Sequence, residues 1–233
     1  MAAAVTAKNP KNITLRGRVS FPVWTYNEAI ERNKTSKFPE NDPAKIKPEF
    51  NLLIEQGQLD KLTTHILDVF LPYCEAQYKK GEKERDALEP KVIKRIRDLV
   101  SSGDWEAQPP FLPIKKISEK NQDNAPECVA SIKIAGPRGA DFDLRATVFE
   151  ENQLLVPDAD ILSYPVQKKL GETVFQMYPG AYAISTLNLF AFFSSNAIFG
   201  ISAGANVAFY MGNLEGERFG GGSDIDEDEI FAD

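Results

Sequence analysis

The chain has 233 residues, 42% hydrophobic and 26% charged, a balance that suits one buried core or two small ones and excludes a disordered or fibrous chain. Its formal net charge of -7, averaged over the whole chain, argues against a polyanionic partner. Two cysteines, Cys74 and Cys128, cannot by themselves form a disulfide framework or a zinc site, and the single His65 weakens the case for histidine-based catalysis.

Residues 1–12 are small and polar, without the apolar stretch of a secretory leader; they are expected to be flexible, and the protein to be cytoplasmic. In 13–26, Leu15, Gly17, Val19, Phe21 and Val23 alternate with Arg16, Arg18 and Ser20, which predicts a strand with one apolar face and one basic, aromatic face. Residues 27–48 turn polar and carry Pro39, Pro43 and Pro48, the pattern of a long exposed loop. Phe50, Leu52, Leu53 and Ile54 predict a second strand over 49–55. Leu59, Leu62, Ile66, Val69, Phe70 and Tyr73 then recur at helical spacing over 58–80, with Pro72 kinking or dividing the helix. His65 lies inside this helix beside apolar neighbours and reads as structural. A second helix is predicted over 90–101, with Pro90 in its first turn and Gly103 just past its end.

Residues 108–116 are proline-rich and finish in Lys115 and Lys116. Strands are expected at 129–135, 142–149 and 153–156, separated by turns at 136–139 and 150–152. The stretch 173–214 holds no charged residue over 42 positions. Ser185, Thr186, Asn188, Ser194, Ser195 and Asn196 break it, so no 18-residue apolar window remains, and it reads as two buried strands, 181–193 and 199–211, rather than a membrane span. Gly200 and Gly204 are expected to mark bends or bulges. Gly220 to Gly222 open a flexible linker, and the acidic residues beyond it are expected to be disordered. This order predicts a mainly β fold: one OB-like antiparallel barrel over 13–219, a helical insertion at about 58–103, and a tail over 220–233.

The charge is unevenly placed. Residues 224–233 contain six acids and no base, and without them the net charge moves from -7 to -1. The window 8–47 holds nine Lys or Arg against four acids, a local +5. A basic body segment with an acidic tail points to nucleic-acid work. Within it, cations interleave with aromatics, as single-stranded nucleic acid requires, since it offers phosphates to Lys and Arg and unstacked bases to rings. The candidate phosphate contacts are Arg16, Arg18, Lys34, Lys37, Lys115 and Lys116, and the candidate stacking residues are Trp24, Tyr26 and Phe38. Asp141 and Asp143, two apart on an expected strand, could share a metal ion, which makes a metal-dependent nuclease a rival reading. No glycine-rich phosphate motif occurs, and no cofactor is expected. A protein-interaction or virion structural module with a solubilising tail is the other rival. The tail itself embeds Ile230 and Phe231 in acid, so it can imitate DNA charge in the chain's own groove or dock on a basic partner.

The stretch YPGAYAISTLNLFAFFSSNAIFGISAGANVAFYMGNLEGERFGGG, followed by the acidic tail with Phe231, resembles the replicative single-stranded DNA-binding proteins of tailed phages. The opening LRGRVSFPVW resembles the first barrel strand of that family, and PFLPIKK and the later VPD resemble segments between its middle strands. The resemblance implies an OB-fold that coats single-stranded DNA without sequence preference during replication and recombination. It further implies a tail, here Asp224, Asp226, Glu227, Asp228, Glu229 and Phe231, that contacts the phage DNA polymerase and helicase-primase and competes with DNA. Two departures stand out. The block 58–103 is longer and more helical than the family pattern and offers a surface for a homodimer, and Ala232 and Asp233 follow an aromatic that is often the last residue.

Overall fold

Strand β1 (Asn12–Val23) keeps the alternation of its sequence in the computed structural model: Ile13, Leu15 and Val19 are buried, while Thr14 and Arg16 face solvent. The structure describes residues 9–23, 26–37, 39–42, 45–47, 49–80, 86–105, 110–135, 145–150, 153–154, 162–163, 168–170, 173–175, 179–195 and 198–211. β1 stops three residues before its predicted end. Its register with β2 (Glu49–Glu55) slips between Ser20 and Val23, where Pro22 has no N–H to give to the ladder. A correction follows in the predicted loop 27–48, whose first part is helix α1 (Tyr26–Lys34). No glycine or proline interrupts it, and Glu31 and Lys34 pair one turn apart at 2.6 Å. Among its described side chains only Ala29 is buried, so no apolar stripe announces it.

β2 runs directly into α2 (Gln56–His65), a π-helical turn (Ile66–Phe70) and α3 (Leu71–Lys79). Pro72 accounts for the π turn. Its ring crowds the carbonyl four residues back and it donates no hydrogen bond; the widened turn, in which the Leu71 N–H bonds the Ile66 carbonyl, lets the rod continue. α4 (Pro90–Ser102) starts with proline in its first turn and stops at Gly103, whose φ of 72° is the left-handed cap that glycine adopts readily. β3 (Ile114–Lys116), α5 (Glu119–Asn124) and β4 (Cys128–Ala135) follow. Neither β3 nor α5 is visible in the sequence pattern. α5 is six polar residues, started by Ser118, whose Oγ accepts the Asn121 N–H at 3.3 Å. The short strands β5 (Arg145–Glu150), β6 (Gln153–Leu154), β7 (Leu162–Ser163), β8 (Lys168–Leu170) and β9 (Thr173–Phe175) precede the long hairpin of β10 (Tyr182–Ser195) and β11 (Ile198–Met211). The expected turn at 136–139 and the tail 220–233 lie outside the described residues.

Five strands close on themselves. β4 pairs with β2, β2 with β1, β1 with β10 and β10 with β11, all antiparallel. β11 then returns to β4 in parallel, Ala203 beside Ile134 and Gly204 beside Ala135. Counted along the chain, the third and fifth barrel strands make the single parallel joint. The barrel is an OB-fold. The β10–β11 ladder slips at Ser185/Leu187 and Phe193/Ser195, not at Gly200 or Gly204, which corrects the expectation of bulges there. Gly200 serves close approach instead: a Cβ would collide with the backbone of Phe111, which forms an isolated parallel bridge to it.

One core unites barrel and insertion. Leu15, Leu52, Ile54, Ile132, Leu189 and Ile201 from the strands form a single cluster with Leu62, Ile66, Phe70, Cys74, Ile96 and Val100 from the helices. The insertion is also pinned by polar contacts at the barrel end where β1 begins. Asp86, buried, accepts the Ala191 N–H at 2.9 Å and pairs with Lys11, and His65 Nε2 lies 3.0 Å from the Pro10 carbonyl. Burial pushes the thiols of Cys74 and Cys128 up to about 12, so both act as small apolar groups. Among the described residues no helix is long and apolar enough to cross a membrane.

Candidate nucleic-acid interface

Strand register arranges the outward positions of the barrel in rows. One row runs from Tyr182 on β10 through Arg18, Leu53 and Ser131 to Lys115 on β3. The next runs Ser20, Asn51, Lys133. α5 lies across the middle of both. Ser20 Oγ donates to Asn121 Oδ1 at 3.1 Å, Arg18 donates to the Asn124 carbonyl at 3.1 Å, and Leu53 is buried with Ala125 and Cys128 in a small second cluster. The cations beyond α5 stay open.

They line a trough. One hollow of about 320 Å³ is bordered by Arg32, Asn51, Lys115, Lys116, Ser131 and Lys133, with Glu49 at its edge. An adjoining hollow of about 460 Å³ shares Arg32 and Glu49 with it and adds Lys45, Lys47 and Glu40. Six cations therefore face two acids. Lys133 pairs with Glu49 at 2.9 Å, and Lys45 lies 3.9 Å from Glu40 and 3.7 Å from Asp42. Lys115 and Lys116 are exposed and, among the described residues, have no acid within ion-pair distance. Ser118, Asn121, Asn51 and Ser131 add neutral hydrogen-bonding groups to the same hollow. The trough lies on the face of the second and third barrel strands, beside the segment joining the first and second, and these are the places where OB-folds take oligonucleotides.

Of the residues singled out from sequence, Lys115 and Lys116 stand in the trough. Lys34 is exposed on α1 and paired with Glu31, and Lys37 is exposed just after it. Tyr26 begins α1, while Trp24 and Phe38 lie outside the described residues, as do Asp141, Asp143 and the tail residues. Arg16 is exposed, with its guanidinium 5.2 Å from the centre of the Tyr182 ring. Sequence reasoning missed Lys133, Arg32, Lys45 and Lys47 as site residues. Lys133 had a legible signal, since it occupies the outward phase of an alternating strand with Ser131. The other three are brought in by α1 and the chain after it, where a long exposed loop was expected. Among the described residues no group of three His, Cys, Asp or Glu could hold a metal ion.

Arg18 has a different occupation from the phosphate contact expected of it. It is 6% exposed, and it donates to the Gly180 carbonyl at 3.0 Å, to Asn124 at 3.1 Å and to Glu127 Oε1 at 3.0 Å. It fastens α5 and the start of β10 to β1. Partial burial works to raise the Glu127 carboxyl, but a backbone hydrogen bond and the contact with Arg18 outweigh it and hold the pKa below the ordinary carboxylate value. Tyr182, whose hydroxyl donates to Glu127 at 3.3 Å, is shifted upward by burial and by the Glu127 charge.

No protein-family model matches the chain, and no curated protein matches it in sequence. Solved structures similar to it include the single-stranded DNA-binding protein from bacteriophage Enc34 in complex with ssDNA, 15% identical, covering 90% of each chain with a TM-score of 0.48. Another is gp2.5, a single-stranded DNA-binding protein encoded by bacteriophage T7, 9% identical, covering 89% of this chain and 94% of that one with a TM-score of 0.40. The fold assignment itself rests on strand order and closure.

Proposed function

We propose that this protein binds single-stranded DNA without sequence preference along the trough, as a binding protein rather than an enzyme. The observation that carries this reading is the convergence of Arg32, Lys45, Lys47, Lys115, Lys116 and Lys133 from three separate chain segments on one barrel face. Cations in this arrangement track a phosphate backbone, and the neutral Asn51, Ser118, Asn121 and Ser131 accept varied base edges without selecting one. Arg16, beside Tyr182, extends the positive surface on the far side of α5. The acidic tail, 224–233, competes for the same trough as a mimic of DNA charge, and with Phe231 it recruits the phage DNA polymerase and helicase-primase when DNA displaces it. The family resemblance of the sequence supports both halves.

The test is fluorescence anisotropy with labelled oligo-dT and an equally long duplex at 50 and 200 mM salt. Four neutralised phosphates give a slope of log affinity against log salt of about -3 on a single strand. Binding indifferent to salt, or equal for duplex and single strand, would overturn the reading.

A further inference from the structure

The outer face of β10 and β11 carries aromatic side chains that the basic trough does not use. Phe190 and Phe192 project outward on β10, opposite Ser202 and Gly200 of β11, while Leu189 and Ala191, which alternate with them, are buried in the core. Phe111 lies along the other side of β11. Its N–H bonds the Phe199 carbonyl and its own carbonyl accepts the Ile201 N–H, each at 2.9 Å. Gly200 places no side chain between them, so the rings of Phe111 and Phe192 approach to 6.3 Å between centroids, tilted by 42°. All three phenylalanines are partly exposed, and rings grouped in this way on a sheet face mark a contact surface rather than a core.

Register joins this group to the trough. Because Ala203 pairs in parallel with Ile134, Ser202 stands level with Lys133, so Phe190, Ser202 and Lys133 follow one another across three neighbouring strands. At the usual strand spacing, the first and last are about 10 Å apart. Phe111 approaches from a second direction, since it belongs to the segment that leads into Lys115 and Lys116. Rings therefore border the cations both across the sheet and along the chain. The six cations select a polyanion, and the apolar groups that a single-stranded polyanion carries beside its charges are flat bases.

We propose that Phe111, Phe190 and Phe192 form a base-stacking subsite continuous with the trough, so that a strand whose phosphates lie against Lys133 and Lys115 lays its bases on the outer face of β10 and β11. This rests on the reading of the trough as the single-strand site. It assigns stacking to rings other than Trp24, Tyr26 and Phe38, the candidates the sequence offered, and gives the hairpin strands a role in binding besides closure.

The experiment compares the full chain with the Phe111→Ala/Phe192→Ala double variant and with Phe192→Leu, which keeps an apolar side chain but removes the ring. Each is titrated with oligo-dT and with an equally long oligonucleotide carrying abasic positions, at two salt concentrations, after thermal unfolding confirms the fold. The double variant is expected to bind oligo-dT at least about tenfold more weakly, with its salt slope unchanged, because stacking releases no counterions. It should also lose the parent's preference for oligo-dT over the abasic strand. In Phe192→Trp, the new indole should be quenched by oligo-dT beyond the quenching that Trp24 and Trp105 show in the parent. Parent-like affinity and abasic discrimination in folded variants, or a Phe192→Trp emission indifferent to DNA, would overturn the subsite and leave the trough standing. Unchanged DNA affinity with loss of self-association would assign the rings to a contact between copies, and would equally overturn it. Failure of the parent itself to bind oligo-dT would remove the trough reading first.

Discussion

Arg18 and Lys115 occupy the same outward row of the barrel, three strands apart, and differ in what lies above them. Over Arg18 sits α5, so its guanidinium is buried among the carbonyls of Gly180 and Asn124 and the carboxylate of Glu127. Over Lys115 there is solvent, and beside it a hollow shared with Lys116 and Lys133. Both residues are cations facing outward on a strand, although only the strand of Arg18 is legible in the sequence. A helix of six residues turns one into a structural clamp and leaves the other available to a ligand. Sorting the cations of a β-rich binding protein into clamps and contacts therefore depends on the short, polar elements that cross the sheet, the elements with the weakest sequence signal.

The sharpest way to break this division is to reverse what each region is said to do. Replacing Lys115, Lys116 and Lys133 by alanine should remove three phosphate contacts. At about 0.7 log units each in 0.1 M salt, affinity for oligo-dT should fall about a hundredfold and the salt slope should shrink by about two, with the melting temperature close to that of the parent. An unchanged slope would mean that the trough is not where phosphates go. On the covered side the pattern inverts. Arg18→Ala leaves buried acceptors unsatisfied and should cost about 2–3 kcal/mol of stability, a drop of about 5–10 °C in melting temperature for a chain of this size, while the folded variant keeps its salt slope. If it lost DNA binding at full stability instead, Arg18 would belong with the contacts.

Smaller effects sharpen the comparison further. Deleting 224–233 takes the net charge from -7 to -1 and should tighten binding to oligo-dT several-fold at low salt, with the gain fading as salt screens the tail. Equal or weaker binding by the shortened chain would dismiss the tail as a competitor. Glu127 gives the least effect and the clearest sign. Its folded-state pKa lies below the ordinary value, so the stability it contributes is complete at neutral pH and is lost as pH falls through that depressed value. Melting temperatures followed from neutral pH down to about pH 3 should show this loss in the parent and a shallower decline in Glu127→Gln. Parallel curves would indicate that the Arg18–Glu127 pair does not hold α5 in place.

Much of the fold is legible because its signals are local. The alternation of Ile13, Leu15 and Val19, the apolar run at 50–54, the helical recurrence from Leu59 to Tyr73 and the Pro90 and Gly103 bracket each follow from the chemistry of a few neighbouring residues. α1, β3 and α5 are not legible, because each is short and owes its form to tertiary partners rather than to an apolar stripe of its own. The site divides in the same way. Lys115 and Lys116 announce themselves as an adjacent basic pair, whereas Lys133, 17 residues beyond Lys116 in the sequence, becomes their neighbour only because β3 pairs with β4.

By itself the sequence determined the class of the molecule: strands with one apolar face, a helical insertion held by its own periodicity, and a basic body with an acidic tail. Periodicity and charge are properties of the chain and survive without knowledge of the fold. Barrel closure through the parallel joint of β4 and β11, the burial of Arg18 under α5 and the placing of Lys133 in the trough, and the meeting of Phe111 with Phe192 across Gly200 were decided only in three dimensions. They depend on register between segments that lie up to 176 positions apart, and register is set by the packing of the whole core.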